Sequence, residues 1–153
     1  SDLQELLPED PRTAAVGRMT MTLAELLSDP ELGPSDDWLD GFSLKGTNIV
    51  AQPHCHQHAV MGYQKDLALL QRLGASVTSV AGCCGLAGNF GMEKGHYDVS
   101  VAVAQNSLLP TLADAPAGSV YLADGYSCRT QAEQLADVTG VALPTLLLSS
   151  KVR

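Results

Sequence analysis

The stretch SVTSVAGCCGLAG, residues 76–88, decides how the chain folds. Its first six residues (76–81) are a short β-prone run, which passes without a break into a glycine, two adjacent cysteines and a glycine-rich turn. The same order recurs on either side. "TNIVAQ" (47–52) reads as a strand ended by Pro53, followed by "HCHQH" and a helix reaching about Arg72. Val60, Tyr63, Leu67 and Leu70 give that helix one apolar face, and Gly74 caps it. "SVYLAD" (119–124) reads as a third strand, followed by a helix over 127–140 with Ser127 as N-cap, Ala132, Leu135 and Ala136 inward, and Gly140 past its end. Between the second and third strands, Met92 to about Leu109 is expected to be helical although "VSVAVA" alternates, because consecutive parallel strands need a crossover. Pro110 is expected to end or kink it. "LPTLLLSS" is a short final helix or strand. Strands alternating with helices predict an α/β fold: a Rossmann-like three-layer domain with a small parallel sheet.

In such sheets ligands gather beyond the carboxyl ends of the strands. Cys55 lies just past the first strand, Cys83 and Cys84 past the second, and Cys128 past the third. All the cysteines in the chain therefore fall on one edge. Thiolates suit iron–sulfur clusters, Zn²⁺ or Cu(I). The gaps of 27 residues from Cys55 to Cys83 and 43 from Cys84 to Cys128 match neither a zinc ribbon nor a ferredoxin. Adjacent cysteines on extended backbone point apart, so a centre with several metal atoms meets both more easily than a single ion does. Gly82 and Gly85 let the backbone pass close to a bulky cofactor, and Gly85, Gly88 and Gly91 permit a nest of N–H groups before the next helix. His54, His56 and His58 share a direction if their segment is extended. His56 is the candidate for an additional ligand or for a donor to one. His96 is a candidate to reach the same edge, Arg129 to balance charge there, and Asp124 to serve as a turn or cap residue.

Composition narrows the class. The chain has 153 residues, 45% hydrophobic and 17% charged, which suits one domain with a sizeable core. Nine Lys and Arg against seventeen Asp and Glu leave a net charge of −8, and the basic residues form no run, which argues against a nucleic-acid surface. No apolar run approaches the roughly 20 residues that span a bilayer. Adjacent Cys83 and Cys84 are hard to bridge, so reduced thiols in an intracellular setting are expected rather than a disulfide framework. Residues 1–44 read as a helical or linker segment, with a helix in "TMTLAELLSDP" (20–30) capped by Thr20 or Thr22 and stopped by Pro30, then a loop-like "LGPSDDWLDGF". Residues 45–153 read as the cysteine-bearing domain, and the whole is expected to be a piece of a longer polypeptide.

"PHCHQHA", "GCCGLAGNFGMEKGHYDVS" and "ADGYSCRTQ" resemble the cysteine-rich CCG domain. That domain occurs in heterodisulfide reductases and in the iron–sulfur components of glycolate and glycerol-3-phosphate oxidising enzymes. Over about residues 45–148 the chain most resembles the version at the C-terminus of FAD-linked oxidases of the D-lactate and D-2-hydroxyglutarate dehydrogenase type. The resemblance implies an electron-transfer module with an iron–sulfur cluster, expected to be 4Fe-4S. Cys55, Cys83, Cys84 and Cys128 match the family's ligand cysteines. It implies partners in upstream FAD and ferredoxin-like domains of the same polypeptide, and a place in the cytoplasm or at the inner face of the membrane. Neither an FAD domain nor a C-x₂-C-x₂-C run is present here, so this chain alone is not expected to oxidise a hydroxy acid. The heterodisulfide reductase form ends in C-x₂-C, whereas Gln131 stands three residues after Cys128. That leaves four thiolates, with or without His56, for a cluster or a single ion. Two other classes fit the same residues: a structural zinc module that docks a partner, with zinc also able to substitute for iron, and a metal-free thiol–disulfide site.

Overall fold

The computed structural model describes residues 2–152. Four parallel strands form one sheet in the order β2-β1-β3-β4: β1 (Asn48–Ala51), β2 (Ser76–Ser79), β3 (Val120–Leu122) and β4 (Gly140–Val141). Ile49 stands opposite both Val77 and Val120, and Tyr121 stands opposite Gly140. The three strands expected from sequence are present and parallel. The fourth is an addition, and it corrects the reading of Gly140 as a helix terminator. A Cβ on Gly140 would fall 2.7 Å from the Tyr121 ring, so the strand needs glycine there to let that ring lie across it. The preceding helix, α8 (Tyr126–Ala136), stops earlier, and Asp137 takes the left-handed position (φ 54°) that ends it. Gly125, not Ser127, occupies the N-cap of α8.

Alternation along the strands divides the interior in two. Ile49, Ala51 and Leu122 point to one face, where they meet Leu69, Leu70 and Leu73 at α5 (Gln64–Arg72) and Leu143, Leu146 and Leu147 of α9 (Leu143–Ser149). Val50, Tyr121 and Ala123 point to the other, where they meet Leu108 of α7 (Leu108–Ala113) and Cys128 and Ala132 of α8. Helices thus cover both faces, as a three-layer α/β domain requires. The first core also takes in residues from the N-terminal segment. Ala24 and Leu27 come from α3 (Leu23–Leu27), and Leu39 from α4 (Asp36–Leu39), a helical turn in the stretch expected to be loop. α3 begins with a reciprocal cap: the Glu25 N–H donates to Thr22 Oγ1 and the Thr22 N–H donates to Glu25 Oε2. Ahead of it run α1 (Asp2–Leu6) and α2 (Arg12–Met19). Residues 41–43 are tied to the C-terminus through an antiparallel bridge between Phe42 and Lys151.

Two expected helices are interrupted. After Cys55 the chain forms a π-helical turn, Gln57–Met61, closed at Gly62 (φ 82°), and α5 starts afresh at Gln64. The wider turn rotates Val60 out of the expected apolar face, leaving it 57% exposed, while Tyr63 and Leu70 are buried as expected. Gly74 (φ 94°) follows the end of α5 in the predicted capping conformation. The expected helix from Met92 starts properly only at Tyr97, after a 3₁₀ turn at Phe90–Met92. It breaks at Ser107 (φ −150°, ψ −58°), which separates α6 (Tyr97–Asn106) from α7. Pro110 therefore does not stop a helix. It sits in the first turn of α7, where a missing N–H costs no intrahelical bond.

Candidate thiol site at the carboxyl ends of the strands

β1 ends in Ala51 and leads through Gln52 and Pro53 to Cys55; β2 leads through Val80 and Gly82 to Cys83 and Cys84; β3 leads through Asp124 and Gly125 to Cys128 on the first turn of α8. The parallel sheet places all three exits on one edge, and the thiols meet there. Cys55 Sγ lies 3.6 Å from Cys83 Sγ. Cys84 is hydrogen-bonded to Cys128 on one side and to Cys83 on the other. The order Cys55–Cys83–Cys84–Cys128 is thus a continuous string of sulfurs running from surface to core. Cys55 is exposed and Cys83 half-buried, whereas Cys84 and Cys128 are each 1% exposed.

The turn after the tandem pair supplies backbone donors. The Gly85 N–H donates to Cys83 Sγ at 3.4 Å, and the N–H groups of Leu86 and Ala87 donate to Cys84 Sγ. Positive φ at Gly85 (93°), Ala87 (46°) and Gly88 (73°) curls the backbone into the nest expected from the glycines. Together with the hydrogen bond from Cys128, these donors pull the Cys84 thiol down to about 6 despite its burial. Cys128, which gives its hydrogen to Cys84 and is buried, moves the opposite way. Cys55 is pushed up to about 11 by burial and by its neighbour Cys83.

The glycines differ in what demands them. At Gly85 a Cβ would run into the backbone carbonyl of Ser100 on α6, and at Gly91 into the Ser100 side chain, so helix packing requires both. Gly82 faces Ser107 at 3.2 Å, and Gly88 opens onto free space. Gly125 has a role the sequence reading missed. A Cβ there would fall 2.6 Å from the His54 ring and 3.0 Å from Cys128 Sγ, so its absence seats both groups. Gln52 was missed as well. It is 2% exposed, and its Nε2 donates to the carbonyls of Gly82 (2.9 Å) and Pro53 (3.2 Å), tying the exits of β1 and β2 together. Its Oε1 is buried with no hydrogen-bond partner among the described residues. A glutamine closing the apolar run "NIVA" immediately before "PHC" was the available signal.

The three histidines do not all share a direction, because from Cys55 onward the segment is helical rather than extended. His58 lines a cavity of about 200 Å³ with Gln52, Cys55 and Cys83. His56 lines a different cavity, of about 570 Å³, with His54, Asp66 and Asp124. There, burial lifts the Asp66 carboxyl to about 6, partly offset by the amide of Gln57, which donates to Oδ2 at 3.0 Å. His96 stacks on Phe90 and places Nδ1 3.2 Å from the Phe90 carbonyl. Arg129 donates to the carbonyls of Ala123 (2.6 Å) and Asp124 (3.1 Å), and Asp124 accepts the Leu143 N–H at 2.7 Å, so both fasten the end of β3 and the start of α9. Gln131, in the place of a fifth cysteine, is buried and donates to Ser100 Oγ at 2.9 Å, joining α8 to α6. Among the described residues no three His, Cys, Asp or Glu side chains converge on one point that would hold a single metal ion. No helix among them is long and apolar enough to cross a membrane.

Two curated proteins are similar to part of this chain. One, from Escherichia coli (strain K12), is 35% identical over 82 residues, which is 53% of this chain and 8% of that protein. The other, from Pantoea ananatis (strain AJ13355), is 35% identical over 69 residues, 44% of this chain and 7% of that protein. Both are named D-2-hydroxyglutarate dehydrogenase. The chain thus spans less than a tenth of the length of the relatives it matches and is related to that dehydrogenase family over about half of its own length. No family model matches the chain, and no solved structure matches it.

Proposed function

We propose that this chain is an electron-transfer module of a larger FAD-linked 2-hydroxy-acid dehydrogenase, and that Cys55, Cys83, Cys84 and Cys128 hold an iron–sulfur cluster of the 4Fe-4S kind. The observation that carries the reading is the unbroken string of sulfurs at the carboxyl edge of the sheet. The donor set suits the group. All four ligands are thiols, and the nest of Gly85, Leu86 and Ala87 stabilises negative charge on two of them. The cluster would supply one-electron storage and transfer. Cys84 and Cys128 would hold it from the buried side of the site and Cys55 from the exposed side. The relation to D-2-hydroxyglutarate dehydrogenases supports the parent reaction. Upstream FAD and ferredoxin-like domains of the same polypeptide are its proposed partners.

Anaerobic reconstitution of the reduced chain with iron and sulfide tests this. The expected product is brown, with iron and sulfide bound in similar amounts and an electron paramagnetic resonance signal on reduction. A colourless chain that binds zinc in equal molar amount and neither iron nor sulfide would overturn the reading in favour of a structural zinc module.

A further inference from the structure

The outer two thiols are arranged for a reaction that the inner two cannot undergo. Cys55 Sγ and Cys83 Sγ are 3.6 Å apart, and a disulfide needs about 2.05 Å, a closure of about 1.5 Å that side-chain rotation can supply. Their loops are held in place by Gln52, whose amide grips the carbonyl just before Cys83 and the carbonyl two residues before Cys55. Both thiols line the cavity of about 200 Å³, and Cys55 is exposed. Cys84 and Cys128 touch each other but are sealed at 1% exposure beneath Val50, Leu108, Tyr121 and Ala132.

We infer that Cys55 and Cys83 are a reversible oxidation site: in the metal-free chain a low-molecular-weight disulfide converts them to an intramolecular disulfide while Cys84 and Cys128 stay reduced. One thiol of the outer pair loses its proton to water, and its sulfur attacks the small disulfide. The small S–S bond breaks, and one half leaves and is protonated to a thiol. The other protein thiol then attacks the mixed disulfide, gives up its proton, and expels the second half as thiol. Two electrons pass from the two cysteines to the small disulfide, which ends as two thiols. The bond removes two of the four sulfurs of the proposed cluster site, so the oxidised chain refuses iron until it is reduced. That consequence rests on the function proposed above; the disulfide itself does not.

The test treats the reduced, metal-free chain with oxidised glutathione without oxygen, then alkylates, digests and maps it by mass spectrometry. Free thiols are expected to fall from four to two, with Cys55 joined to Cys83 and the alkyl tags on Cys84 and Cys128. Cys83→Ala is expected to keep a glutathione adduct on Cys55 and form no internal bond. Four free thiols after treatment, or a bond that involves Cys84 or Cys128, overturns the inference, whether or not the reduced chain binds iron. In a second arm the oxidised chain is offered iron and sulfide. Uptake is expected to be lost and to return on reduction with dithiothreitol, and undiminished uptake overturns the exclusion. A reduced chain that takes up no iron while the Cys55–Cys83 bond maps as expected would sink the proposed cluster and leave the oxidation site standing.

Discussion

Cys55 and Cys83 hang from two strand exits that the amide of Gln52 ties together, and they face a cavity. Cys84, hydrogen-bonded to Cys83, and Cys128 beyond it belong to the hydrophobic core on the α7–α8 face of the sheet. The outer pair can gain or lose a metal, or each other, without disturbing packing. The inner pair cannot change partner or volume without being felt by Val50, Tyr121 and Ala132. A site built this way has a rigid half that the fold itself supports and a half that responds to solvent. The difference shows why four cysteines at one sheet edge are not four equivalent thiols.

The largest expected effect comes from attacking the wall behind the inner pair. At Gly85 the backbone has φ 93°, and any Cβ would run into the Ser100 carbonyl. Close approach to a cofactor would make Gly85→Val a defect of cluster assembly in a folded chain. The contact with α6 instead predicts a folding defect of about 4 kcal/mol or more. Urea denaturation followed by circular dichroism decides between them. A Gly85→Val chain as stable as the parent would show that α6 yields and that the inner half of the site is not rigid.

Gln131→Ala is the next probe of that rigidity. It removes the amide that donates to Ser100 Oγ, leaves Ser100 buried with fewer partners, and opens space between α6 and α8. A loss of about 2–3 kcal/mol is expected, with Cys84 becoming accessible to a bulky maleimide that does not reach it in the parent chain. Unchanged labelling would mean that the two helices, rather than the glutamine, keep the inner pair closed.

Cys84→Ser and Cys128→Ser place a hydroxyl among apolar neighbours and should each cost about 1–3 kcal/mol in the metal-free chain. They should also abolish most iron and sulfide uptake. The two readouts separate two roles for a buried cysteine. A loss of stability with full iron content would make that residue a small hydrophobe of the core and remove it from the ligand set.

The parts of this arrangement that were readable in the sequence are those fixed by pattern. β1 and β3 are buried on both faces by alternating residues, and the segment before each cysteine reads as a strand. With strands and helices in turn, the convergence of Cys55, Cys83, Cys84 and Cys128 on one edge followed. β4 was not readable because two residues make too short a pattern, and Gly140 serves as well for a helix stop as for a strand under a tyrosine ring. The helix break at Ser107 was hidden behind Pro110, the more conspicuous breaker, which the first turn of α7 tolerates. The reading of the histidines turned on backbone geometry. "HCHQH" implies one shared face only on extended backbone, and the π-helical turn places His58 by the thiols and His56 by Asp66. At Gly85 the packing of α6 was not readable, because a cofactor and the backbone of a helix make the same demand on a Cβ.

The smallest effect on stability, and the sharpest test of the comparison, belongs to the outer pair. Cys55→Ser and Cys83→Ser exchange sulfur for oxygen at positions that are exposed or half-buried, and the hydrogen bonds Cys83 makes, to the Gly85 N–H and to the neighbouring thiols, are weak sulfur bonds. Each should leave the stability of the metal-free chain within about 0.5 kcal/mol of the parent. If all four sulfurs serve one cluster, each of these near-silent changes must nonetheless lower iron and sulfide uptake as severely as Cys84→Ser does, because an open iron site exchanges with water. His58→Ala and His56→Ala, measured alongside, separate the two cavities: a loss of iron confined to His58 follows from its place beside Cys55 and Cys83. Full iron content in both Cys55→Ser and Cys83→Ser would break the comparison at its outer end, leaving the pair to thiol–disulfide chemistry alone.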